Sequence, residues 1–72
     1  MTTPMKGWGR VLLRIVRYCD ARVEALEKEA DEQEAAGLDA CARASRAEAQ
    51  YWRDVATANR ESPEYEEEER TQ

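Results

Sequence analysis

The chain has 72 residues, a formal net charge of −5, and neither histidine nor phenylalanine. A chain this short forms one domain at most, and few such chains bury enough apolar surface to be stable alone. Without histidine it offers no Ser-His or Cys-His pair for nucleophilic catalysis and no histidine-containing metal site. We therefore expect a protein that is not an enzyme, with no catalytic, cofactor-binding or metal-binding residues.

Cysteine content and apolar runs bear on where the protein works. Two isolated cysteines, Cys19 and Cys41, are fewer than a secreted disulfide scaffold of this size normally carries. Arg14 and Arg17 interrupt the apolar residues near the start, so no cleavable signal sequence is predicted. The sequence also lacks the ~20 consecutive apolar residues of a membrane-spanning helix. We expect a cytoplasmic protein, or one inside a virion or larger assembly, and nine arginines against two lysines favour a bacterial or phage source.

The first predicted element is a long helix over residues 5–36. Gly7 and Gly9 disfavour its first turns by up to ~1 kcal/mol each, which moves the expected start toward Trp8. From there to residue 36 the sequence has no proline, and Gly9 is its only glycine. Apolar residues alternate spacings of four and three, a heptad seam typical of helix packing: Leu12, Val16, Cys19, Val23, Leu26 and Ala30.

Gly37 marks the predicted end of this helix, because glycine readily adopts the left-handed conformation favoured just past a helix C-terminus. Leu38 would then contact the last turn, and Asp39 would cap a second helix over residues 39–60. A turn at Gly37-Leu38 predicts an all-α fold built as a two-helix antiparallel hairpin. The alternative is one long continuous helix or coiled coil, because a glycine inside a helix costs only ~1 kcal/mol.

The second predicted helix is rich in alanine and gathers its bulky residues near its end. Small side chains let two helices approach closely, whereas the bulky residues would form an apolar cluster beside residues 20–26 of the first helix. We therefore predict a partner interface that combines the heptad seam with this cluster: Leu12, Val16, Val23, Leu26, Tyr51, Trp52 and Val55.

The last twelve residues, 61–72, are strongly acidic, with six glutamates. Pro63 is expected to stop the second helix, and the like charges repel one another. The sequence thus predicts a helical hairpin interaction module over residues 1–60 and a disordered acidic C-terminal tail over 61–72. A functional alternative is an acidic arm that engages a basic partner surface, or that shields basic residues of its own chain.

Charge is distributed unevenly, with +4 over residues 1–19 and −9 over residues 20–72. Four bases spaced by four, four and three residues share one helix face, which we call the basic stripe: Lys6, Arg10, Arg14 and Arg17. The stripe fits an acidic protein surface, anionic lipid headgroups with Trp8 in the interface, or nucleic acid. The −9 remainder disfavours nucleic acid, and a solvated polar face is the simplest interpretation.

The scarcity of bulky apolar residues predicts that binding is the function. Our interpretation is a non-enzymatic protein–protein interaction or assembly protein, which forms a homo-oligomer or docks on a larger protein partner. It would be a structural or accessory component of an assembly, or a modulator of a host protein. The alternative is a peripheral membrane-surface protein anchored by residues 5–19, and the second alternative is a weak nucleic-acid-binding regulator.

Overall fold

The computed structural model describes residues 7–72, and within this range the chain forms three α-helices and no strand. Helix α1 spans Trp8–Ala35, α2 spans Asp39–Arg60 and α3 spans Pro63–Thr71. The all-α prediction is confirmed. Lys6 and the part of the predicted first helix that precedes Gly7 lie outside the described residues.

The chain reverses direction between α1 and α2 at Gly37, which has a φ of 80°. The Gly37 amide donates to the carbonyl of Glu34 over 3.0 Å, and the Leu38 amide donates to the carbonyl of Gln33 over 2.8 Å. These two bonds form a Schellman motif, which satisfies carbonyls at the end of α1. The continuous-helix alternative is therefore wrong. Leu38 remains half exposed, and Asp39 lies in the first turn of α2 without capping it through its side chain.

The predicted heptad seam packs α1 against α2. Its buried residues on α1 are Leu12, Val16, Cys19, Leu26 and Ala30. The buried residues of α2 are all small: Ala42, Ser45, Ala49 and Ala56. Ser45 is the one polar member, and its hydroxyl donates to Oε1 of Gln33 over 2.7 Å, which satisfies it. The large fully buried side chains between the two long helices therefore come from α1, while Trp52 and Val55 of α2 pack against them from half-buried positions.

Three ion pairs at seven-residue intervals fix the antiparallel register, and together they form what we call the ion-pair ladder. Acids of α1 pair with arginines of α2 in the order Asp20–Arg60, Glu27–Arg53 and Glu34–Arg46. All six side chains are substantially exposed, so each pair contributes only ~0.2–1 kcal/mol. Their regular spacing makes them more important for register than for stability.

The acidic C-terminal segment is a third helix, so the predictions of a disordered tail and of a simple two-helix hairpin are wrong. Pro63 lies in the first turn of α3, where its missing N–H costs nothing. Glu64 and Glu66 also lie in that turn, where negative charge interacts favourably with the helix dipole. The features that suggested disorder thus favour a helix N-terminus.

Helix α3 docks on the N-terminal half of α1 through Tyr65 and Gly9. Tyr65 is buried in the same cluster as Leu12 and Leu13. A Cβ placed on Gly9 would lie 2.7 Å from the carbonyl oxygen of Glu64 and 2.9 Å from the Cβ of Glu68. No side chain fits between the two helices at Gly9, so their close approach requires glycine there.

Gly9→Ala should release α3 while leaving the α1–α2 hairpin folded. The new methyl group would collide with the backbone of α3, whereas α1 itself would gain up to ~1 kcal/mol of helix propensity. Amide hydrogen exchange should show loss of protection over Pro63–Thr71 and little change over α2. Ala21→Gly, at an exposed site of α1, makes the reverse change of helix propensity away from α3 and should leave α3 protected. Unchanged exchange in α3 of Gly9→Ala would contradict the docking contact.

Candidate functional site

The hairpin has two flanks, one on either side of its buried seam, and they differ in whether another helix covers them. On one flank, α3 lies along Leu13 and Arg17, and the ion-pair ladder continues from Asp20. The opposite flank carries Tyr18, which lies about 200° around the helix from Asp20 at ~100° per residue. In the described part of the chain, no helix covers this second flank.

The uncovered flank forms a groove between α1 and α2, which we call the open groove. Its volume is about 380 Å³, and its lining is mostly apolar. The lining residues are Val11, Arg14, Ile15, Tyr18, Cys19, Trp52 and Val55. Cys19 is the buried residue among them, whereas the others are half-buried or exposed. The hairpin therefore presents a continuous apolar surface made by both long helices.

Three aromatic rings form the centre of this surface. Trp52 packs edge-to-face against Tyr18 at a centroid distance of 5.6 Å and against Tyr51 at 5.1 Å. Its indole N–H donates to Glu48 over 3.4 Å, and Glu48 also pairs with Arg22 at 2.8 Å. Both tyrosines are 57% exposed although their rings are held by Trp52. Exposed aromatic residues in a fixed geometry are typical of protein-binding surfaces.

The structure separates the predicted interface residues into two groups. Three are buried in the chain's own core: Leu12, Val16 and Leu26. Val23 is half-buried beside the ion-pair ladder. Trp52 and Val55 line the open groove, and Tyr51 lies on its rim. The aromatic cluster contacts Tyr18, which lies two residues before the predicted range 20–26.

Three residues that form one wall of the groove were absent from the predicted interface: Val11, Ile15 and Tyr18. They are spaced by four and three residues, in parallel with the seam but displaced by one position along the helix. This second row of apolar residues is a signal in the sequence. It indicates a helix that is apolar on two adjoining faces.

The described residues of the basic stripe are exposed, and one of them pairs with the chain's own acidic helix. Arg10, Arg14 and Arg17 are exposed, while Lys6 lies outside the described residues. The Nε atom of Arg10 is 3.7 Å from Oε1 of Glu68 in α3. Arg14 stands between the two flanks, because it borders both the open groove and the surface next to α3. Within the stripe, Arg10 therefore lies beside an acidic residue of α3, whereas Arg14 also borders the open groove.

The two cysteines should react at very different rates with a thiol reagent such as Ellman's. Cys41 is exposed, whereas Cys19 is 1% exposed. Burial, with the charge of Asp20 adding to it, raises the pKa of the Cys19 thiol and so lowers its reactive thiolate fraction. At neutral pH we expect one fast thiol per chain, which Cys41→Ser removes. Reaction of Cys19 in native Cys41→Ser at the rate seen in denaturant would contradict this packing.

Within residues 7–72, no helix is both long and apolar enough to cross a membrane. Across the same range, no three acidic or cysteine side chains cluster as a potential metal site. No protein-family model, curated protein or solved structure shows a significant match to the chain.

Proposed function

We propose that this chain is a non-enzymatic protein–protein interaction module whose binding surface is the open groove. The difference between its flanks carries the proposal. One flank is covered by α3 and closed by the ion-pair ladder, whereas the other exposes an aromatic cluster around Trp52. Apolar surface left in water costs ~25 cal/mol per Å². A concentrated apolar patch on a small protein is therefore typical of a binding site.

The chain is more extended than a compact domain of its length, which supports the proposal that it binds a partner. Its radius of gyration is 15.7 Å, against about 11 Å for a compact domain of this length. Its accessible surface is 5543 Å², against roughly 4,600 Å² for a compact folded monomer of 8.3 kDa. The excess of roughly 900 Å² is spread over an elongated molecule, which extends 53 Å, and it leaves surface along which a partner can pack. A protein packed in the groove would bring the exposed surface toward that of a compact domain.

The neighbourhood of the basic stripe gives less support to anionic partners. Helix α3 carries five glutamates, and one of them, Glu68, pairs with Arg10 of the stripe. These acids weaken the positive field that would attract lipid headgroups or phosphates. Trp8 and Val11, both exposed on α1, are the features that favour the membrane alternative. If the chain binds anionic but not neutral vesicles in a flotation assay, and Trp8→Glu abolishes this binding, the chain is instead a peripheral membrane-surface protein.

Site-specific photocrosslinking in the cell that encodes the chain tests the proposal. A photoreactive residue at position 18 would project from the groove rim, and one at Asp54, an exposed site of α2 away from the groove, is the control. We expect protein adducts of defined mass from position 18 and none from position 54. Adducts from position 18 should also disappear when Ile15→Arg places a charge in the groove. Equal crosslinking from both sites, or none from position 18 of the folded chain, would contradict the proposal.

A further inference from the structure

We infer that the occupant of the open groove is a second copy of this chain, and that two hairpins pair antiparallel across it as a symmetric dimer. The inference rests on the proposed function, because it names the partner of the same surface. Two-fold symmetric dimers are the commonest homo-oligomers, and each copy must then present a patch that complements itself. The open groove has the charge and the shape that this requires.

The near absence of charge in the groove makes it complementary to itself. Of the residues that line it, Arg14 alone is charged. The nearest ion pair, Arg22 with Glu48, is already neutralised within the chain. A strongly acidic or basic partner would thus find little to pair with, whereas a second apolar groove would bury both surfaces without leaving a charge unpaired. Arg14 is exposed at the rim, where water still solvates it.

The charge of the turn end fixes the orientation of the two copies. Residues 24–47, which form the half of the hairpin nearest Gly37, carry a net charge of −4. A parallel pair would place two such ends side by side and make them repel. An antiparallel pair places them at opposite ends of the dimer. The open ends of the hairpins, which carry the grooves, then overlap.

This arrangement makes a four-helix core at the centre of the dimer. The α1 and α2 helices of both copies would surround a shared core of Val11, Ile15, Tyr18, Trp52 and Val55. Each α3 would remain outside this core, because it docks on the flank opposite the groove. The surfaces that the monomer leaves exposed would be buried, while the contacts already made by α3 and the ion-pair ladder would stay unchanged.

Light-scattering mass combined with small-angle X-ray scattering on the purified chain tests the inference. We expect a mass of about 16.6 kDa, twice that of the 8.3 kDa chain. One copy extends 53 Å. With an overlap of roughly 21 Å over α1 residues 8–22, at 1.5 Å per residue, the antiparallel dimer should be roughly 85 Å long. A parallel dimer would be little longer than one copy, so a length close to 53 Å would overturn the proposed orientation.

Matched variants show whether the groove is the interface. Ile15→Arg should give a helical monomer of 8.3 kDa, and Gln50→Arg, which adds the same charge on the ladder flank, should stay dimeric. If Ile15→Arg fails to fold, Tyr18→Arg serves instead, because Tyr18 is already 57% exposed. A dimer that persists in the folded groove variant, or a wild-type monomer at every concentration, would overturn the inference. A wild-type monomer whose position 18 crosslinks to a different protein would overturn the dimer alone and leave the interaction function standing.

Discussion

Leu12→Ala should lower the free energy of unfolding by about 2–5 kcal/mol, because it leaves a cavity in a well-packed site. Leu12 is 3% exposed and belongs to the cluster that joins α1, α2 and α3, with Ala56 and Tyr65 among its members. A chain of 72 residues has a total stability of roughly 4–11 kcal/mol at the usual value per residue. This one substitution should therefore remove a large part of the free energy of unfolding.

Leu38→Ala is the matched control, because it makes the same change at a residue that is 51% exposed in the connection between α1 and α2. Its effect should stay within about 0.5 kcal/mol. Urea denaturation followed by circular dichroism gives both values from the shift of the midpoint at constant slope. If the two variants lose similar stability, Leu12 is not the core residue that the structure places at the junction of the three helices.

Ala49→Leu should cost about 1–3 kcal/mol, because the added bulk has no space between α1 and α2. Ala49 is 0% exposed, and the other buried residues of α2 are equally small, so the two long helices have little room between them. Moving them apart would also strain the nearby pair of Arg53 with Glu27. We therefore expect this variant to lose stability, although it adds a bulky apolar side chain to a chain that has few of them.

Ala47→Leu provides the comparison at an exposed site of the same helix. It makes the same chemical change, and both residues are good helix formers, so its effect should be close to zero. Thermal unfolding of the two variants at equal concentration measures the difference. A gain of stability in Ala49→Leu would mean that space is left between the helices and would contradict close packing along the alanine face of α2.

Local patterns in the sequence are sufficient to predict the two long helices. The alternation of three and four residues from Leu12 to Ala30 corresponds to the buried seam of α1. Gly37 has the left-handed conformation expected of it, and α2 begins and ends where the pattern predicts, at Asp39 and Arg60. These features depend on residues within one or two turns of each other, which is why the sequence reveals them.

Helix α3 could not be predicted from local patterns, because its docking depends on residues distant in the chain. Pro63 stops a preceding helix and starts a following one equally well, so its presence did not decide between a tail and a helix. The decisive contacts join Tyr65 to Leu12 and Leu13, and the backbone of Glu64 to Gly9. A short acidic helix has little stability alone and needs such contacts to form.

The α1 part of the predicted partner surface was placed on the seam, because the seam was the most obvious apolar face of that helix, while the α2 part was the cluster of Tyr51, Trp52 and Val55. The hairpin buries that face between its own two long helices. The apolar residues of α1 that line the open groove are instead the adjoining row of Val11, Ile15 and Tyr18. The ion-pair ladder was predictable from the sequence once a hairpin was assumed. Acids at positions 20, 27 and 34 have the same seven-residue spacing as arginines at 46, 53 and 60, which antiparallel packing brings together.

We propose that a single copy buries too little bulky apolar surface, and that another protein molecule completes the fold at the open groove. The most direct test is the thermal unfolding midpoint of the pure chain, measured by circular dichroism over a ~100-fold range of concentration. If copies associate, the midpoint must rise with concentration, because mass action favours the bound and folded state. A sharp transition at one fixed temperature across that range, from a chain that light scattering measures as 8.3 kDa, would contradict the claim.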